Sequence, residues 1–294
     1  LQQNFLDPKV LAAISGLDLV ARTVVQGFIN GLHRSPDFGF SQEFAEYSMY
    51  SPGDDLRHVD WNVFARAERM YLKKYEGETN TKVTVLLDLS RSMSFGRKPN
   101  KLDYSRFLVS SLIYLAVEQR DAVGLILFDD EVRQFIPPAS RVGHLQKLLH
   151  AVERAEVGHH TNFAQPFQKF LEFIRQRGLV IVVSDFYADP QTVVDTIVPL
   201  RWKRNEVVLF HILDREELEP SLQGPATLVD IETGDAIEVT PEYMRTEYRD
   251  KINRHIEDLR SKAQGAGLEY FLMPTDKPLD AGLREYLAAR KGRM

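Results

Sequence analysis

Apolar positions along this chain follow two patterns. From about Thr81 onward, short runs rich in Val, Ile, Leu and Phe occupy residues 83–87, 122–128, 179–184, 206–213 and 268–273. Between them lie longer stretches in which apolar residues recur at helical spacing: 102–119, 141–153, 163–175, 190–200, 241–264 and 278–290. The runs predict buried strands and the stretches predict amphipathic helices. Residues 131–136 follow the second run after a turn too short for a crossover, which predicts an antiparallel neighbour. Residues 226–240 hold Glu-Thr-Gly-Asp between alternating segments, a hairpin pattern. Pro241 stands where the first turn of the next helix tolerates it. The fold class expected is α/β: a doubly wound, mostly parallel sheet with one antiparallel edge strand and helices on both faces.

The N-terminal part reads differently. Residues 8–29 and 56–66 have helical spacing, Ser35-Pro-Asp-Phe-Gly39 reads as a turn, and residues 70–75 read as a short strand. So short a region is too small for a core of its own. The expected organisation is therefore residues 1–80 as an N-terminal extension docked on an α/β domain of residues 81–294.

Composition narrows the function classes. The 294 residues are 44% hydrophobic and 27% charged, with a formal net charge of -5, which gives no electrostatic footprint for nucleic acid. With no cysteine, disulfides and thiolate metal sites are excluded. No run approaches the roughly 20 apolar residues of a membrane helix, and no signal peptide is read, so a cytoplasmic protein without a membrane span is expected.

The candidate chemistry sits where the first run breaks. Asp88, Ser90 and Ser92 stand at alternate positions directly after residues 83–87. Alternate residues of an extended loop face the same way, so their oxygens can converge at a strand's C-terminal end, where open α/β sheets bind ligands. Such a cluster suits a hard cation, Mg²⁺ first, with Mn²⁺ or Ca²⁺ as alternatives. Thr161, in Gly158-His-His-Thr-Asn162, and Asp185, after the run 179–184, can join it. Each residue alone also reads as a turn or cap residue. Asp129 and Asp130 read as a turn between strands, and residues 284–293 as a solvated helix face. His159 and His160 lack the third ligand at zinc spacing. Asp54 and Asp55 read as helix caps, Arg57 and Asp60 as a local pair, and Trp61 as an apolar anchor.

Asp88-x-Ser90-x-Ser92 with Thr161 and Asp185 resembles the five-residue metal-ion-dependent adhesion site of von Willebrand factor A domains. The segment Tyr50-Ser-Pro-Gly-Asp-Asp-Leu-Arg-His-Val-Asp-Trp61, followed by Ala65-Arg66, is similar to the signature of the bacterial family called domain of unknown function 58 (DUF58). The two resemblances together span about residues 35–294. They imply a metal held by Ser90 and Ser92 directly, by Asp88 and Asp185 directly or through water, and by Thr161 in a state-dependent way. They also imply that a partner protein supplies a carboxylate to the metal. The partner implied is a MoxR-type AAA+ ATPase or its client, in chaperone-like assembly or maturation of other proteins.

Catalytic readings fit less well. Haloacid-dehalogenase-like phosphotransferases need an Asp where Ser90 stands. Gly96-Arg-Lys-Pro is not a phosphate-binding loop, and neither a Gly-x-Ser-x-Gly elbow nor a His-Glu-x-x-His helix is present. The expectation is a non-enzymatic interaction module. The alternatives are an Mg²⁺- or Mn²⁺-dependent hydrolase or phosphatase, and a vestigial site with contacts made by the N-terminal extension.

Overall fold

The computed structural model describes residues 7–14, 16–32, 44–49, 63–64, 71–75, 81–158, 164–174, 177–231 and 234–291. The chain divides into two compact units, one of residues 29–80 and one of residues 1–28 with 81–294. In the smaller unit, β1 (Phe44–Met49) pairs antiparallel with β2 (Tyr71–Tyr75). The strand expected at 70–75 is thus present, and its partner at Phe44–Met49 was not read from the sequence. Of the helix expected at 56–66 only Val63 and Phe64 are described, and both are helical. The turn at 35–39 and the residues from Asp54 to Trp61 lie outside the described residues.

The larger unit opens with α1 (Pro8–Leu11) and α2 (Leu17–Leu32). One continuous helix over 8–29 was expected. The break falls at Gly16, whose φ of 89° lies in the left-handed region that ends a helix.

The sheet that follows has the expected form. Its strands are β3 (Lys82–Asp88), β4 (Ala122–Phe128), β5 (Val132–Ala139), β6 (Leu179–Ser184), β7 (Glu206–Leu213) and β10 (Glu269–Pro274), in the order β10-β7-β6-β3-β4-β5. All neighbours are parallel except β4 and β5, which pair antiparallel at one edge. Strands β3 and β6 are buried along nearly their whole length, as continuous apolar runs in a parallel sheet covered on both faces must be. From β3 the chain first builds outward through β4 and β5, then crosses to the other side for β6, β7 and β10. The order therefore reverses between β3 and β6, and the crevice at their C-terminal ends is the topological switch point.

Helices α3 (Lys101–Glu118), α4 (His144–Glu153), α5 (Ala164–Phe173), α6 (Pro190–Trp202), α7 (Arg215–Leu218), α8 (Pro241–Tyr243), α9 (Arg249–Gly265) and α10 (Leu279–Lys291) complete the unit, with the hairpin β8 (Ala226–Val229) and β9 (Ala236–Val239) between α7 and α8. The single helix expected over 241–264 is interrupted by a π-helical turn at Met244–Tyr248. On one face of the sheet, Phe128 meets Phe167 and Phe170 edge-on at 5.8 and 5.2 Å, within an apolar cluster that includes Leu86, Val182, Val193 and Leu209. This packing fixes β3 against β6 and so sets the spacing of the groups at their ends.

Candidate metal centre

Asp88 is the last residue of β3, and Asp185 follows the last residue of β6. Both are buried at the switch point. Asp88 Oδ1 accepts the backbone N–H of Ser90 at 2.8 Å, and Asp88 Oδ2 accepts the hydroxyl of Ser184 at 2.6 Å. Ser184 in turn accepts the backbone N–H of Phe186 at 2.9 Å. The loops after the two strands are therefore tied through the Asp88 carboxylate. Phe186 is fully buried and has a φ of 47°, an uncommon backbone state for a bulky residue. Such strain recurs at functional sites, where the surrounding packing holds it.

The serines converge by a different local route from the one expected. Ser90 is extended, but Arg91–Ser94 form a single 3-10 turn rather than an extended loop. The outcome is the same pairing: the hydroxyls of Ser90 and Ser92 lie 3.0 Å apart. That separation is a good hydrogen bond. It also matches the edge of an octahedral oxygen shell, about 2.9 Å when magnesium–oxygen distances are about 2.0–2.1 Å. The donor set of carboxylate and hydroxyl oxygens fits a hard cation. Among the described residues, no group of three or more His, Cys, Asp or Glu side chains is placed to hold a metal, so any centre here depends on the hydroxyls.

Thr161 lies outside the described residues, as do His159 and His160. The chain is described as far as Gly158, whose N–H donates to Leu89 O at 2.6 Å, in the loop between Asp88 and Ser90. A Cβ at Gly158 would collide with the carboxylate of Asp129, so this close approach requires glycine.

The electrostatics at the switch point are unbalanced. Burial, and then the charge of Asp185, push the Asp88 carboxyl up to about 7, against the hydrogen bonds from Ser184 and Ser90. Asp185 has its own partner, which the sequence did not reveal. The ammonium of Lys101, fully buried in the first turn of α3, lies 2.8 Å from Asp185 Oδ2 and 2.7 Å from Glu217 Oε1. Burial alone would lower the Lys101 pKa, but the charges of Asp185 and Glu217 hold it above its ordinary value. The rings of Phe95 and Tyr187 lie 5.6 and 5.1 Å from the ammonium. Glu217 belongs to α7, where its other oxygen accepts the N–H of Asp214 at 2.6 Å in a capping box. Nothing in the local pattern marks Lys101 or Glu217, because a lysine opening a helix and a glutamate in a capping box ordinarily face water.

A groove of about 780 Å³ opens beside these groups. Ser92, Phe95, Lys101 and Tyr187 line its end at the candidate centre, and Leu228 and Ile237 of the β8–β9 hairpin line it further out. Gly96 lets the serine loop approach α7: a Cβ there would come within 2.5 Å of Asp214 Oδ2.

Comparison with known proteins gives the lineage. The family described as "Protein of unknown function DUF58" matches residues 46–259. The chain belongs to this family. The uncharacterized protein Rv1480 of Mycobacterium tuberculosis is 24% identical over 292 residues, covering 97% of this chain and 91% of that one. A solved structure of an aerotolerance-related membrane protein from Bacteroides fragilis covers 73% of this DUF58 chain and 100% of its own, at 14% identity and a TM-score of 0.50. The SpRpn10 VWA domain covers 70% of this chain and 94% of its own, at 14% identity and a TM-score of 0.43. The larger unit of this DUF58 protein has the α/β fold expected, a six-stranded, mostly parallel sheet with one antiparallel edge. Among its described residues, no helix is long and apolar enough to cross a membrane.

Proposed function

We propose that this DUF58 protein is a non-enzymatic, divalent-metal-dependent docking module. In this reading, Ser90 and Ser92 ligate Mg²⁺ through their hydroxyls, and Asp88 supplies its negative charge directly or through water. Thr161, and Asp185 through water, complete the adhesion-site set that the sequence resembles. The metal keeps an open position, and a carboxylate from a partner protein fills it. The partner class that the family resemblance suggests is a MoxR-type AAA+ ATPase or its client, and the role is assembly or maturation of other proteins.

The observation that supports this reading best is the meeting of two strand-end carboxylates and a hydroxyl pair at the topological switch point. The cation would supply charge neutralisation for the buried carboxylates and a binding position for an acidic partner. The chain's own residues do the rest: Ser184 and the Ser90 N–H orient Asp88, and the 3-10 turn aims Ser92 at Ser90.

The test uses the purified chain and a purified MoxR-type ATPase from the same organism. Capture in Mg²⁺, loss in EDTA and loss with Ser90→Ala/Ser92→Ala are expected. Equal capture under all three conditions would move the contact elsewhere. Phosphatase and nuclease assays with Mg²⁺ or Mn²⁺ are expected to show no turnover that Asp88→Ala removes.

A further inference from the structure

We propose that Lys101 is a built-in counterion that keeps Asp185 away from the metal and thereby sets how tightly the centre holds its cation. The inference rests on the metal-centre reading above and assigns a role to residues outside the adhesion-site set.

The argument starts from hydrogen-bond capacity. An ammonium offers three protons and accepts none. Two of its donor directions at Lys101 are taken by Asp185 Oδ2 at 2.8 Å and Glu217 Oε1 at 2.7 Å. The rings of Phe95 and Tyr187 pack at the same ammonium. The side chain has no exposure at all, so water does not compete for it. Asp185 Oδ1 is in turn approached by the N–H of Tyr187 at 3.4 Å. Both oxygens of Asp185 thus face groups of this chain, and its charge is already met by a buried cation.

A divalent ion at Ser90 and Ser92 would then meet one carboxylate that Lys101 does not hold, Asp88, and neutral hydroxyls. Few charged ligands mean a weaker hold and more residual positive charge on the metal. That residual charge is what an incoming carboxylate would meet. Lys101 therefore acts as a positioning residue: it shifts negative charge from the chain's own site toward the partner. Because Glu217 anchors it to α7, its position is fixed from outside the adhesion-site residues.

A Mn²⁺ titration of the full chain, followed by electron paramagnetic resonance of the free ion, tests this. Asp185→Asn is expected to weaken Mn²⁺ binding by about threefold or less, because Lys101 already holds that carboxylate. Lys101→Met/Glu217→Gln removes the buried pair with little net change in charge and is expected to tighten binding by about tenfold as Asp185 turns to the metal. Adding Asp185→Asn to that background should abolish the gain. A loss of tenfold or more for Asp185→Asn alone, or no gain in the double variant, would overturn the inference. Should the double variant fail to fold, the comparison of wild type with Asp185→Asn decides alone. Absence of Mn²⁺ binding by the wild-type chain would end the metal reading and this inference with it. Binding that Ser90→Ala/Ser92→Ala removes while the Lys101 and Asp185 variants leave it unchanged would sink only the inference.

Discussion

Two acidic clusters stand at C-terminal ends of strands in the same sheet, and water treats them differently. At the β4–β5 turn, Arg133 pairs with Asp129, Asp130 and Glu131. At the switch point, Lys101 pairs with Asp185 and Glu217, and Asp88 lies beside Asp185. Each cluster sets three carboxylates against one cation. In the turn, Asp129 is buried against Arg133, but the side chains of Arg133, Asp130 and Glu131 are 36%, 44% and 52% exposed, so solvent screens the excess charge. At the switch point all four groups are buried, and the excess has to be met by a proton or another cation. The same composition thus makes a structural turn in one place and a candidate binding centre in the other. Burial, more than residue type, separates them.

The largest expected contrast is in stability. Lys101→Met strands two buried carboxylates and is expected to cost about 3–5 kcal/mol in urea unfolding. Arg133→Met strands one buried carboxylate, Asp129, and leaves Asp130 and Glu131 in water, so it should cost less than Lys101→Met. Equal costs would mean that burial does not separate the clusters.

Divalent cations should sharpen the contrast. With Mg²⁺ at about one hundred times its Kd, the wild-type chain gains about 2.7 kcal/mol, read as a rise in Tm. Ser90→Ala/Ser92→Ala should lose this gain, and Asp130→Asn/Glu131→Gln should keep it.

The pH dependence follows from Asp88. Its folded pKa of about 7 lies above the ordinary 3.8, so between these values the native state binds more protons than the unfolded chain. The stability this contributes is fully present below about pH 3.8 and is lost as pH rises through about 7. In EDTA, melting curves should show this loss in the wild type and less of it in Asp88→Asn. Mg²⁺ should therefore raise Tm more at pH 8 than at pH 5.5.

The smallest effect belongs to the turn itself. Glu131→Gln is expected to change stability by no more than about 0.5 kcal/mol and to leave metal affinity unaltered.

What the sequence made legible was local. Apolar runs located β3, β4, β6 and β7 to within a residue, because strands buried on both faces need continuous apolar sequence. The antiparallel β5 followed from a turn too short for a crossover. Four of the five proposed ligands' neighbourhoods were equally visible, since Asp88, Ser90 and Ser92 stand at the end of one buried run and Asp185 follows the buried run across the switch point. Lys101 was not visible. Its partners Asp185 and Glu217 are 84 and 116 positions away, and only the crossing of β6 and the placement of α7 bring them to it. The π turn at Met244–Tyr248 was hidden for a different reason: one widened turn barely disturbs helical periodicity. The strand Phe44–Met49 escaped because its run Phe-Ala-Glu-Tyr-Ser-Met is too polar to stand out.

The most direct measurement is isothermal titration of Mg²⁺ into the metal-free chain at pH 8, run side by side with Ser90→Ala/Ser92→Ala. The account predicts one saturable site in the wild type and none in the variant, with both chains folded by circular dichroism. The same binding in both chains, or none in either, would contradict it.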